Sequence, residues 1–119
     1  MVLVDTSVWV SHLHRGEAHL ARLLDDAQVV THSFIVGELA CGQLKNRREI
    51  LSLLQALPSV PTVSQEEVMY FIERHSLPGR GVGFIDAHLL ASARLAGASL
   101  WTLDTPLKRV AEKLNLSYR

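Results

Sequence analysis

The chain has 119 residues with 12 basic and 12 acidic side chains, for a formal charge of zero. That length suits one domain, residues 1–119, able to bury roughly 65–70% of the surface its unfolded chain exposes, so no disulfide or structural zinc is needed for stability. Zero net charge removes any argument for nucleic-acid binding from overall charge, and a hydrophobic content of 48% points to apolar surface buried against another subunit or partner, or else to a dense core.

In chain order, Val2-Leu3-Val4 is a short apolar run closed by Asp5. It suits a strand over 2–5 buried on both faces, and the charge at Asp5 comes too early for a signal-peptide core. Ser7–His14 reads as a short helix, and Glu17–Asp26 as a second with Ala18, Ala21 and Leu24 on one face. A strand is expected at 28–31, then a helix over Ser33–Leu44 that carries Glu38 and Cys41. The single cysteine cannot bridge within the chain and is expected to be a small buried hydrophobe, compatible with a reducing cytoplasm. Lys45, Arg47 and Arg48 form a local basic cluster, read as a solvated helix end. A helix over Arg47–Leu57 and a strand at 60–63 follow. The longest charge-free stretch, Leu51–Gln65, contains two prolines and is too short to span a membrane, so a soluble cytoplasmic protein is expected.

Ser64–His75 opens with Ser64 and Glu67 at capping-box spacing. Leu77–Gly83 is the one glycine-rich loop, followed by a helix over Ile85–Ala96, a strand at 99–103, a helix over Leu107–Leu114 and a possible last strand at 116–118. This alternation predicts an α/β sandwich whose mostly parallel sheet has four or five strands flanked by helices. Ligands of such sheets bind outside the carboxyl ends of the strands, where Asp5 and Asp104 both fall.

Four acids adjoin apolar runs: Asp5, Glu38, Asp86 and Asp104. Beside apolar neighbours an unpaired carboxylate is costly to desolvate unless a metal or donors compensate it. Each also has a plainer reading. Asp5 can start the first helix, although Thr6 or Ser7 can cap it equally well. Glu38 can be a solvated glutamate on the side of its helix that carries Ser33, Gly37 and Gly42. Asp86 near a helix start complements the helix dipole. Asp104 is the most telling, since Thr105 and Pro106 already supply an N-cap and a first-turn proline. Together, four carboxylates repel one another, and a hard divalent cation such as magnesium or manganese relieves that repulsion, activates water and stabilises charge on a phosphodiester. Thr6, Ser7 and Thr102 offer hydroxyl groups to acids, waters or substrate, and capping or strand packing explains them as readily.

The motifs Leu3-Val-Asp5-Thr-Ser-Val-Trp9, Glu38-Leu39, Gly81-Val-Gly-Phe-Ile-Asp86-Ala-His-Leu-Leu-Ala91 and Leu100-Trp-Thr-Leu-Asp104 stand in one order along essentially the whole chain. In that order and spacing the chain resembles the PIN-domain ribonucleases, most closely the VapC toxins. The resemblance implies a PIN-like sandwich and a Mg2+- or Mn2+-dependent endoribonuclease of a type II toxin–antitoxin pair. Such an enzyme cuts structured RNA such as tRNA or rRNA, forms a homodimer and is held inactive by a VapB-type antitoxin. It also implies catalytic and metal-binding roles for Asp5, Glu38, Asp86 and Asp104. Many relatives carry another acid shortly after the fourth, whereas Thr105, Pro106 and Leu107 stand here.

Other residues carry weaker signals. His12 and His14 point to different helical faces, against a shared metal. His88 reads as packed or solvated before it reads as a substrate contact. Trp9 and Trp101 read as core or interface residues, and Arg80 in the glycine-rich loop is a candidate phosphate contact. A haloacid-dehalogenase-like phosphatase would need an acid where Ser7 stands. The remaining rival is a non-catalytic PIN-like module that binds nucleic acid or protein.

Overall fold

Val2–Val4 forms β1, buried at all three residues, as an apolar run without polar alternation requires. In the computed structural model, which describes residues 1–119, β1 is the central strand of a parallel sheet ordered β2-β1-β3, with β2 at Val29–Val30 and β3 at Ser99–Trp101. Val2 pairs with Val29 on one side and Ser99 on the other, and Val4 pairs with Trp101.

The strand count is lower than the sequence suggests. Residues 60–63 and 116–118, expected as strands, do not form them: one edge has a single bridge from Thr31 to Ser59, just before 60–63, and the other a single bridge from Leu100 to Ser117. At the first edge the Thr31 N–H donates to the Pro58 carbonyl and the Val60 N–H to the Thr31 carbonyl, both at 2.8 Å. Pro61 then has no N–H with which to continue a ladder. At the other edge Leu100 donates to the Leu116 carbonyl at 2.6 Å and accepts from the Tyr118 N–H at 2.9 Å.

Seven helices surround the sheet: α1 Thr6–Arg15, α2 Ala18–Asp25, α3 Ser33–Ala40, α4 Arg47–Ala56, α5 Gln65–Arg74, α6 Phe84–Ala96 and α7 Thr105–Lys113. The capping box is present at α5: Ser64 Oγ accepts from the Glu67 N–H at 3.1 Å and Glu67 Oε1 accepts from the Ser64 N–H at 3.0 Å. The third helix stops earlier than expected, and the guanidinium of Arg47 donates to the carbonyls of Ala40, its last residue, and of Gly42 just beyond. Arg47 is thus a C-terminal cap rather than a purely solvated cation. Cys41 is the C-cap of α3 on the exposed side shared with Gly37 and Glu38, and so is exposed, contrary to the buried position expected of it.

A single cluster of 27 buried hydrophobic residues forms the core. Its densest element is α6, buried continuously from Ala87 to Ala93. A helix enclosed on all sides must be apolar all round, and its small residues Ala87, Ala91 and Ala93 allow close approach of neighbours. No helix is long and apolar enough to cross a membrane.

Candidate acidic site at the strand ends

Parallel pairing in register brings the carboxyl ends of β1 and β3 side by side, so Asp5 and the segment Thr102–Asp104 emerge at one edge. The backbone N–H of Asp5 donates to the Trp101 carbonyl at 2.9 Å, continuing the ladder to the site itself. The Asp5 side chain is buried, and its Oδ2 accepts two hydroxyl protons, from Ser7 Oγ and from Thr102 Oγ1, each at 2.7 Å. With those protons committed to Asp5, the hydroxyl oxygens accept in turn: Ser7 from the Leu103 N–H at 3.0 Å, Thr102 from the Asp104 N–H at 3.1 Å. The result is a closed polar network in which one Asp5 oxygen is held from two sides and Oδ1 is left without a protein donor.

Asp5 and Asp104 occupy the N-cap positions of α1 and α7, yet neither side chain makes a capping hydrogen bond. For Asp104 this corrects the expected helix start, since Thr105 is already the first helical residue and Asp104 the cap position. A carboxylate that could cap and does not remains available for other ligands.

Glu38 lies on the exposed side of α3, where Thr6 Oγ1 donates to its Oε1 at 2.9 Å. Asp86 is the third residue of α6, half-buried, and its Oδ2 accepts from the Gly83 N–H at 3.1 Å. Burial pushes the Asp86 carboxyl above the usual carboxylate range; the Gly83 N–H opposes this in part, and the charges of Asp5, Asp104 and Glu38 push it further up. All three other acids therefore act on Asp86, and no cation is among the groups that do.

The glycine-rich loop helps to close this arrangement. Gly81 has φ of 80°, and a Cβ there would lie 3.1 Å from the Pro106 side chain, so the loop that leads into α6 rests against the start of α7. Arg80 is exposed, its Nε donating to the Ser76 carbonyl at 2.7 Å, with no ion pair to the four acids. Thr6 and Ser7, expected as substrate-binding hydroxyls, donate to Glu38 and Asp5.

No three histidine, cysteine, aspartate or glutamate side chains stand close enough to hold one cation as they are. The donor set still fits a hard cation: it is all oxygen, Asp5 Oδ1 has no hydrogen-bond donor, and magnesium keeps several waters, so not every carboxylate needs to touch it.

Sequence reading missed His32. Histidine is not among the preferred capping residues, yet its Nδ1 accepts from the Phe34 N–H at 3.0 Å at the start of α3, while Nε2 lies 3.2 Å from Ser92 Oγ on α6. Burial, reinforced by His88, holds the His32 pKa down at about 4, so the ring is neutral and its proton sits on Nε2 to serve Ser92. His32 thereby ties the helix of Glu38 to the helix of Asp86. His88 is buried, as the packed reading expects. His12 Nδ1 accepts from the Glu17 N–H at 3.0 Å, and Trp9 and Trp101 are core residues.

Thr102→Val keeps the shape of the strand end while removing one of the two hydroxyl protons on Asp5 and the acceptor for the Asp104 N–H. A loss of about 1–3 kcal/mol in stability is expected, read by denaturant unfolding, with Thr102→Ser restoring most of it. Equal stability of Thr102→Val and wild type would show that the network does not hold Asp5.

Residues 2–113 match the family model described as PIN domain. The chain belongs to the PIN-domain family, whose nucleases generally use divalent metal ions. It is 46% identical over 109 residues to Ribonuclease VapC32 of Mycobacterium tuberculosis, in strains H37Rv and CDC 1551 alike, a match covering 91% of this chain and 88% of the relative. Its fold is similar to the crystal structure of PAE2754 from Pyrobaculum aerophilum, with a TM-score of 0.66 at 19% identity, covering 95% of this chain and 90% of that one. At that identity the likeness concerns the fold alone.

Proposed function

We propose that the protein is a metal-dependent endoribonuclease, the toxin of a type II toxin–antitoxin module, that cleaves structured RNA such as tRNA or rRNA at Asp5, Glu38, Asp86 and Asp104. The observation that carries this reading is geometric: at the paired carboxyl ends of β1 and β3, where Asp104 also emerges, Ser7 and Thr102 both donate to Oδ2 of Asp5 and leave Oδ1 without a protein donor. Four carboxylates arranged for stability alone would be paired with cations. Kinship with Ribonuclease VapC32 supports the choice of RNA as substrate.

A divalent cation, Mg2+ or Mn2+, bound there would activate water and offset charge developing on the phosphodiester. The chain's own part is orientation. Ser7 and Thr102 hold Oδ2 of Asp5 and leave Oδ1 free of protein donors, Thr6 steadies Glu38, and the Gly83 N–H fixes one oxygen of Asp86 while leaving the other uncommitted. Arg80 remains a candidate phosphate contact, since only its Nε is bonded within the chain.

The same reading includes a VapB-type antitoxin, a homodimer and a cytoplasmic location. Exposed Leu53, Tyr70 and Leu95 support a partner-covered surface, as does a groove of about 600 Å³ between α5 and α6 lined by Tyr70, Phe71, Ala91 and Leu95. The rival is a PIN-like module that binds without cutting.

The test incubates the full chain with tRNA and rRNA in magnesium, manganese or EDTA and maps the new ends. Cleavage that needs metal and leaves a 5′-phosphate and a 3′-hydroxyl is expected. Binding without cleavage under every metal would favour the non-catalytic module.

A further inference from the structure

Phe84 is the first residue of α6, two positions before Asp86, and this large aromatic side chain is left 47% exposed. Its ring is nevertheless held in place. It meets the His88 ring edge-on, centroids 4.7 Å apart at 85°, and His88 in turn meets Phe34 of α3 at 4.9 Å and 74°. Phe34 and Glu38 are four residues apart and so share one face of α3. The row Phe34, His88, Phe84 therefore bridges the helix that carries Glu38 and the helix that carries Asp86. Phe84 also walls a cleft of about 180 Å³ with Leu77, Pro78, Val82 and Ala87.

The row is a fixed support beneath the exposed ring: His88 is 4% exposed and is held between Phe34 and Phe84 by edge-on ring contacts. The start of α6 does not need a phenyl group, since Gly83 and Asp86 already complete its first turn. Charge indicates which ligand. The chain is neutral overall, so net charge gives no general attraction for a polyanion, the usual source of affinity for one. Stacking of a base on an exposed aromatic ring does not depend on charge and tolerates sequence.

We propose that Phe84 is a nucleobase-stacking residue that takes an unpaired base next to the phosphate placed at the four acids, with His88 and Phe34 buttressing its ring. This rests on the ribonuclease reading and makes Phe84 a determinant of which RNA conformations are accepted. Bases within a duplex keep their faces covered, so loops and single strands are the matching substrates.

The experiment compares wild type with Phe84→Ala, Phe84→Leu and Phe84→Trp, each checked for an unchanged melting temperature within a few degrees. Binding of a 5′-fluorescein single-stranded RNA of mixed sequence is read by anisotropy in EDTA and in calcium, cleavage kinetics of a stem-loop RNA in manganese, and assembly state by sedimentation. Phe84→Ala and Phe84→Leu are expected to raise Kd and KM about tenfold or more with little change in kcat, and Phe84→Trp to restore both. A leucine variant indistinguishable from wild type would overturn the proposal. So would an alanine variant that alters sedimentation while leaving Kd and KM unchanged, because Phe84 would then belong to a protein interface. If wild type binds RNA through Phe84 and never cuts it, the ribonuclease reading falls and stacking stands; if wild type cuts and Phe84→Ala has the same KM, stacking falls alone. A wild type that neither binds nor cuts RNA overturns both.

Discussion

Asp5→Asn is expected to lower RNA cleavage by orders of magnitude while leaving the fold intact. The asparagine oxygen accepts the same two hydroxyl protons from Ser7 and Thr102 that Oδ2 of Asp5 accepts, each at 2.7 Å, so the network behind the residue survives. What changes is the other oxygen: an amide NH2, a donor without charge, replaces the oxygen that is free of protein donors. A hard cation cannot use a donor, and its loss removes both water activation and compensation of charge on the phosphate. Initial cleavage rates in manganese, paired with thermal melts in EDTA, check the expectation; undiminished cleavage would sink the assignment of Asp5. Asp104→Asn is the companion variant. Asp104 is exposed and its side chain makes no hydrogen bond, so retained activity there would indicate a site of three acids.

Asp86→Asn is expected to be neutral or stabilising in EDTA and to lose most of the stabilisation that metal gives wild type. The sign follows from the raised carboxyl. With the folded pKa above the unfolded one, the folded state holds its proton over the intervening pH range. Stability therefore falls as pH rises through that range and stays lower above it. Asparagine cannot ionise and can still accept from the Gly83 N–H, so the variant's advantage in EDTA should be present at neutral pH and vanish below the ordinary carboxylate range. Metal at about ten times Kd adds roughly 1.4 kcal/mol to wild type, worth several degrees in Tm, through binding the native state alone. Calcium is expected to stabilise as well while supporting cleavage poorly, because it tolerates looser coordination. A carboxylate that only complements the helix dipole behaves oppositely, its removal costing about 0.3–1 kcal/mol whether metal is present or absent. Melts of both proteins in EDTA and in manganese, at neutral pH and near pH 4, separate these outcomes; an equal metal response in both would count against Asp86 as a ligand.

Local patterns carried much of the fold. Val2–Val4 has no polar alternation and so had to be a buried strand, Ser64 and Glu67 are spaced for the reciprocal cap they form, and the run from Ala87 to Ala93 has too few polar groups for anything but an enclosed helix. Sequence also marked Asp5 and Asp104 as residues just past strand ends, which in a parallel sheet is where ligands bind. Other features are set by contacts between residues far apart in the chain, which no local pattern encodes. Whether 60–63 and 116–118 become strands depends on how far an edge ladder extends, and proline stops one of them. Cys41 is exposed because it continues the exposed side of α3 that carries Gly37 and Glu38, and the proper role of Ser7 appears only once β3 brings Thr102 beside it. His32 gives no local signal, since its tie to Ser92 spans 60 positions. Sequence by itself thus determined which residues carry charge and which runs must be buried, because desolvation acts on each residue type wherever it stands. Only the tertiary structure decided that the charges of Asp5, Glu38 and Asp104 act together on Asp86, because Coulomb interactions depend on distance in space and not along the chain.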